Sequence, residues 1–230
     1  MRFDRLISRV WRGIVFFPKT AYINFRVLPF REAIQFPIIV MGRTGFKGIH
    51  KRSIVVSGEI RTGMIRIAAQ KTSKRGLPVN KKTWLIADNG GVIRFDGRAS
   101  VGAGTSICAS GGEIELGDAF SCNINCFIYS HSAIRFGEDV LLGWNINIRD
   151  NDGHPMYDSE GNLTNPDGPI RFGNRVWIAS YVDVMKNVSI ADGTIIGTRS
   201  LVTRSVEEPN AVVAGVPAKI IKRGVFWQHN

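Results

Sequence analysis

The residues best suited to chemistry sit in one polar run, Asp150-Asn151-Asp152-Gly153-His154-Pro155. A histidine titrates near neutral pH, so it can take a proton from a hydroxyl and return it within one turnover. A neighbouring carboxylate, Asp150 or Asp152, can orient its ring. The plain alternative is a surface histidine in a solvated loop. What separates the two is where the run falls in the chain.

A five-residue phrase recurs four times, as Ile93-Arg94-Phe95-Asp96-Gly97, Ile114-Glu115-Leu116-Gly117-Asp118, Ile134-Arg135-Phe136-Gly137-Glu138 and Ile170-Arg171-Phe172-Gly173-Asn174. The steps are 21, 20 and 36 residues. Between the last two copies lies the excess, and it contains Arg149 to Pro155 and then Asp158 to Gly168. His154 therefore belongs to the long insertion of a regular repeat, where polar loops are more often functional than decorative.

The repeat itself is clearest over residues 170–203. Apolar residues recur every sixth position there: Phe172, Ile178, Val184, Ile190, Ile196 and Val202. Six residues advance an α-helix by about 600°, so these side chains would not line one helical face. Six is a multiple of two, so on strands they can all point the same way. Small or β-branched residues follow four positions later (Val176, Val182, Val188, Thr194, Ser200), and Gly, Asp and Asn mark turns between. Short strand, corner, short strand is a parallel β-helix built from hexapeptides. Three hexapeptides make one triangular coil, with a few corner residues added in the short steps.

The 230 residues carry a net charge of +11, unevenly placed. Residues 1–82 hold 18 Lys and Arg against 3 Asp and Glu, and the remainder is weakly acidic. An anionic membrane surface, an anionic substrate or nucleic acid are the partners this implies. Nucleic acid rests on charge alone, with no reading motif, and is not expected. Residues 1–20 read as an amphipathic basic helix ended by Pro18, in which Leu6, Ile7, Val10, Trp11, Ile14, Val15 and Phe17 alternate with Arg5, Arg9 and Arg12. Residues 21–41 are apolar and proline-punctuated, and strands are expected from residue 53. Two readings of residues 1–52 stand level: a peripheral membrane segment, or an extension packed on the β-helix or a neighbouring subunit. The basic run Lys71 to Gly76, continuing to Lys81-Lys82, is a solvated loop or an anion site. Division follows as an extension (1–52), a β-helix (53–223, with loop 149–169) and a tail (224–230).

Cys108, Cys122 and Cys126 form no CxxC pair and no disulfide framework. Cys122 and Cys126 occupy inward slots of a hexapeptide and read as small core residues. The odd count, and a start with no clean apolar core or cleavage site, fit a reducing cytoplasmic setting, with peripheral contact at the inner membrane face as an option. No stretch reaches the roughly 18–20 apolar residues of a spanning helix.

The hexapeptide period, the protruding Gly153-His154-Pro155 and Val176-Trp177-Ile178-Ala179-Ser180 together resemble the hexapeptide-repeat acyltransferases. The ending Val212 to Lys222 is similar to that family's closing phrase. The resemblance is strongest over residues 114–223 and leans to the sugar and polysaccharide O-acetyltransferase branch. It implies a left-handed β-helix, a homotrimer with active sites between subunits, acetyl-CoA as acyl donor, and a sugar or polysaccharide precursor as acceptor. On the same grounds His154 matches the general base. Trp177, Ser180, Thr198, Thr203, Arg204, Lys219 and Lys222 match positions along coenzyme A. Thr198 lies 18 residues beyond Ser180, one coil, and is expected to stack over it. The plain readings of these residues are a corner aromatic for Trp177, well-fitting small corner residues for Ser180 and Thr198, and a solvated terminal strand for the lysines. Asn123 matches an acceptor-contacting asparagine, with Asn125 an equally polar neighbour, and Asp152 is assigned to the acceptor side. Where the galactoside branch has an acidic acceptor-binding residue this chain has His131, which reads either as an acceptor contact or as a corner histidine.

Other classes remain beside this one. A nucleotide-sugar N-acyltransferase shares repeat and cofactor track. A non-catalytic β-helix would carry no coherent loop. A γ-type carbonic anhydrase needs three histidines for its metal, and only His131 and His154 lie in the repeat region; no metal is expected.

Overall fold

The computed structural model describes residues 3–69 and 81–229, and of residues 3–13 the backbone alone. The basic run at Lys71 to Gly76, Arg2, and the side chains of the first helical turns lie outside the described residues. Among the described residues two helices, α1 (Phe3–Val27) and α2 (Phe30–Ala33), precede twenty-two strands. The strands form three sheets of nine, seven and six, the faces of a triangular prism. The first face runs from β1 (Ile38–Val40) through β4 (Ile65–Ala69), β7 (Ala99–Gly102), β10 (Phe120–Cys122), β13 (Leu141–Leu142), β16 (Trp177–Ile178) and β19 (Ile195–Ile196) to β21 (Val212–Gly215) and β22 (Ala218–Lys222). The second runs from β2 (Thr44–Lys47) to β20 (Leu201–Val202), and the third from β3 (Ile54–Val56) to β18 (Ser189–Ile190). Each pairs with the strand one coil on, in parallel; among the strands of the described residues only β21 and β22 pair antiparallel.

The repeated phrase becomes a column. Ile93 pairs with Ile114, Ile114 with Ile134, and Ile134 with Ile170 on the third face. Beside it the rings of Phe136 and Phe172 stack with centroids 4.7 Å apart, and Phe120 meets Phe136 edge-on at 5.0 Å. Both hexad series point inward, as the period requires: Ile178, Ile196, Val176, Val182, Val188 and Thr194 are completely buried. Cys122 and Cys126 are buried among them. Burial pushes the Cys126 thiol well above its usual range, with neighbouring Cys122 adding to it. The corner from first to second face repeats one backbone state: Asn125, Asn145, Tyr181 and Arg199 all have φ between 56° and 59°. Asparagine tolerates this left-handed state, and the turn imposes it on tyrosine and arginine at later coils.

Two expectations about the N-terminus are corrected. Pro18 does not end the helix; α1 continues to Val27. A mid-helix proline costs about 3 kcal/mol in isolation, and tertiary packing outweighs it here. Ile23, Val27 and Leu28 are buried against the first coil. Asn24 donates to the carbonyls of Thr20 and Ile38 at 2.7 Å each and accepts the Ile38 N–H. Thr20 Oγ1 accepts the Val40 N–H. Nor do strands wait until residue 53. β1 and β2 already belong to the first coil, pairing with Ile65–Ala69 and Thr83–Asp88. Their short runs, interrupted by Pro37 and Gly42, carry too few hexads for the period to be read.

Candidate active site

The long insertion leaves and rejoins the coil at a single point, the corner between second and third faces. β14 (Asn147–Arg149) ends there and β15 (Ile170–Phe172) resumes. Gly168 N–H bonds the Asp150 carbonyl at 2.9 Å and closes the neck. The Asp150 carboxylate is wholly buried, and accepts from Ser130 Oγ (2.7 Å), His131 N–H (2.8 Å), Ser132 N–H (2.9 Å) and Asn151 Nδ2 (3.1 Å). It thus fastens the loop to the corner of the coil before. Asp150 is a structural pin and does not reach His154.

Within the loop a short hairpin forms, with Tyr157 bridged to Leu163. Asn165, 8% exposed, organises its base. Its Oδ1 accepts the Met156 N–H at 2.6 Å, and its Nδ2 donates to the His154 carbonyl at 2.9 Å and to Asp152 Oδ2 at 3.0 Å. From the next coil, Lys186 Nζ reaches Asp152 Oδ2 at 2.6 Å and the carbonyls of Asn165 and Pro166 at 2.9 Å. The Lys186 ammonium, helped by Asn165, holds the Asp152 carboxyl below its usual range. Sequence reasoning missed Asn165 and Lys186. Their one signal is being polar beside an insertion, which many residues share.

The His154 ring is exposed and has no hydrogen-bond partner among the described residues, so neither expected carboxylate orients it. Both are already saturated by the loop neck and by Lys186. His154 lines a cavity of about 210 Å³ together with His131, Asp152, Leu163, Asn165 and Asp167. Burial raises the Tyr129 hydroxyl above its usual range. Its oxygen lies 2.6 Å from His131 Nε2, and His131 Nδ1 faces Asp167 at 3.6 Å. The cavity therefore offers one free imidazole, one held imidazole and carboxylates at its edge.

The other matched residues fall on two corners. Between first and second faces stand Asn123, Ser180 and Thr198. The pairing of Ile178 with Ile196 sets the 18-residue register that stacks Thr198 over Ser180, and Arg199 N–H bonds the Ser180 carbonyl at 3.1 Å. Ser180 is buried and its Oγ faces the Trp144 N–H at 3.4 Å, while Thr198 is exposed. Asn123 donates to the Leu142 carbonyl at 3.2 Å and does not line the His154 cavity. Lys219, paired with Ala214 on the terminal hairpin, and Lys222 are exposed along the edge of the first face. Trp177 lies on that face, 36% exposed, with its ring 6.2 Å from that of Trp227 in the returning tail. Thr203 and Arg204 sit at the corner of His154, exposed in the last coil. One chain thus brings His154, His131 and Asp152 together, and keeps Ser180, Thr198 and Asn123 one prism edge away.

A three-faced prism of parallel hexapeptide coils with a histidine-bearing loop defines a class of fold, the left-handed β-helix. No family model matches the chain. The chain is 32% identical over 146 residues to a putative lipopolysaccharide biosynthesis O-acetyl transferase, WbbJ, of Escherichia coli K12, covering 59% of this chain and 74% of that one. It is 35% identical over 113 residues to the galactoside O-acetyltransferase of the same organism, covering 49% of this chain and 55% of the other, so the match spans about half of that relative's length. The crystal structure of the polySia specific acetyltransferase NeuO superposes with a TM-score of 0.53 over 85% of this chain and 91% of that one at 22% identity, a likeness of fold. This chain belongs to the hexapeptide-repeat acetyltransferase family.

Proposed function

We propose that the protein is an acetyl-CoA-dependent O-acetyltransferase that acylates a sugar hydroxyl in surface polysaccharide biosynthesis. The observation that carries the reading is the placement of His154: an imidazole without a hydrogen-bond partner among the described residues, on the long insertion between the second and third faces, opening on a cavity. In this reading His154 takes the proton from the acceptor hydroxyl as its oxygen bonds to the acyl carbon. The same ring returns the proton to the thiol as the carbon–sulfur bond breaks. A positioned base contributes about 10²–10⁴-fold. Asn165 holds the backbone of His154, and the 210 Å³ cavity admits a single sugar ring with His131 and Asp152 at its wall.

The residues matched to coenzyme A fit an elongated anionic donor in kind: an exposed Thr198 above Ser180, then Lys219, Lys222 and Arg204, whose cations suit phosphates. They do not fit within one chain, because a prism edge separates the Ser180 corner from His154. A homotrimer, with the donor lying between the His154 corner of one copy and the Ser180 corner of the next, resolves this. The cytoplasm, where acyl-CoA is made, is the matching compartment, with the N-terminal residues at the inner membrane face. A nucleotide-sugar N-acyltransferase remains the second reading, since the cavity distinguishes a hydroxyl from an amine only through the acceptor itself.

The test is equilibrium binding of coenzyme A, followed by thiol release from acetyl-CoA across a panel of sugars, amino sugars and oligosaccharides. Micromolar-range binding with release on a hydroxyl acceptor is expected. Release on amino sugars alone gives the N-acyltransferase, and absence of coenzyme A binding contradicts both.

A further inference from the structure

The N-terminal helix buries one side and leaves a second apolar stripe bare. Thr20, Ile23, Asn24 and Val27 face the first coil, Ile14 and Phe25 lie roughly opposite them, and Phe17 sits at the border between the two sides. Ile14 is 63% exposed and Phe30, at the start of α2, 71%. The rings form one cluster: Phe17 to Phe36 at 5.5 Å, Phe25 to Phe36 at 6.0 Å and Phe25 to Phe30 at 6.0 Å. Ile34, half exposed, extends it. A contiguous aromatic surface of this kind marks a contact site.

Its border is cationic. Arg31 projects beside Phe30 and is exposed. Thr62 Oγ1 donates to the Gln35 carbonyl at 2.8 Å and Gly63 N–H to that of Phe36 at 3.0 Å, which joins the patch to a cavity of about 430 Å³. Arg61, Arg66, Arg98, Ser100 and Ser121 line that cavity. Arg61 pairs with Glu59 and Arg98 with Asp118, while Arg66 has no ion-pair partner among the described residues. The Ser100 hydroxyl is buried there without a hydrogen bond.

We infer that this end of the prism docks on an anionic lipid bilayer, with the phenylalanine cluster in the headgroup boundary and the arginine-lined cavity taking lipid phosphates. Charge selects this occupant. A second copy would bring the same cationic border against itself, which opposes association, whereas an anionic leaflet attracts it. Aromatic and aliphatic side chains amid arginines are the composition of an interfacial helix. Among the described residues no helix is long and apolar enough to cross a membrane, so the contact is peripheral.

Docking at this end also sets the height of the loop. On the second face His154 follows the fifth strand, β14, four strand spacings above β2, roughly 20 Å at about 4.8 Å each. Resting on the acetyltransferase reading, this suits an acceptor glycan that stands several sugars off its lipid anchor.

Flotation of the full chain with vesicles tests the docking without any acyl transfer. Vesicles of phosphatidylcholine with about 40% phosphatidylglycerol are expected to carry the protein, and pure phosphatidylcholine vesicles much less. High salt should weaken the binding. Phe25→Ser with Phe30→Ser should weaken it by about tenfold or more, as should Arg31→Glu with Arg66→Glu, and both variants should keep the circular dichroism and soluble-acceptor turnover of the parent. Equal binding to neutral vesicles, or none to either, overturns the inference. So does a change of oligomeric state in the phenylalanine variant without lipid binding in the parent, which would assign the patch to a second copy.

Discussion

Lys186 Nζ lies 2.6 Å from Asp152 Oδ2, across the gap between the coil that launches the His154 loop and the coil above it. The side chains are 17% and 27% exposed, so the pair is partly shielded from water. With its bonds to the Asn165 and Pro166 carbonyls, one ammonium ties both ends of the loop to the prism. The reacting group is therefore positioned through its backbone, and its ring stays free.

Lys186→Met is expected to loosen the loop while leaving the coil folded. Catalysis should fall by about tenfold or more, since a misplacement near 1 Å can cost 10²-fold. The loss should appear in kcat more than in the KM for the acyl donor. Steady-state kinetics with both substrates varied would check it, and unchanged kcat would remove Lys186 from the positioning scheme.

Asn165→Ala removes the acceptor for Met156 N–H and the donors to Asp152 and His154. Losing a nearly buried group with three partners costs about 1–3 kcal/mol. Hydrogen exchange should rise at Met156 and along residues 154–165, with the strands unaffected, and kcat should fall alongside.

The Arg98–Asp118 pair makes an acid-limb prediction. Its two guanidinium contacts, at 2.7 and 3.1 Å, hold the Asp118 carboxyl down at about 2 from 3.8. A depressed carboxyl adds stability above its unfolded value, and loses it as pH falls from about 4 through about 2. Both side chains are substantially exposed, so solvent screening limits the effect to about 1 kcal/mol or less. Arg98→Met should flatten the stability profile in that window, as read by urea unfolding, and leave the slope above about pH 5 unchanged.

Burial and the nearby Asp88 charge push the Cys108 thiol up to about 11. Cys122 and Cys126 are buried as well. A thiol reagent at neutral pH should therefore label the native protein slowly and all three cysteines only after denaturation. Rapid native labelling would show that the coils open.

The period of six made the prism legible because an inward side chain at every sixth position leaves almost no freedom of register. The same regularity exposed the loop: a step of 36 where 18 to 21 suffices must leave the coil. Ser180 and Thr198 were aligned by counting alone. Position across corners was not legible, since a count of residues does not say which prism edge faces a neighbour. The orienting carboxylate was misread for a related reason. Asp150 and Asp152 are next to His154 in sequence, but the corner of the previous coil and Lys186 of the next compete for them. Pro18 failed as a helix end because packing of Ile23, Asn24 and Val27 on the first coil outweighs a local cost.

The most direct test of the central claim is thiol release from acetyl-CoA, with the best acceptor of the panel, by wild type and His154→Ala. The exposed His154 ring makes no hydrogen bond, ion pair or ring contact among the described residues, so the variant should fold and bind coenzyme A as before. Its turnover should be lower by about 10²–10⁴-fold. Turnover within a few-fold of wild type would contradict the assignment of His154 as the base.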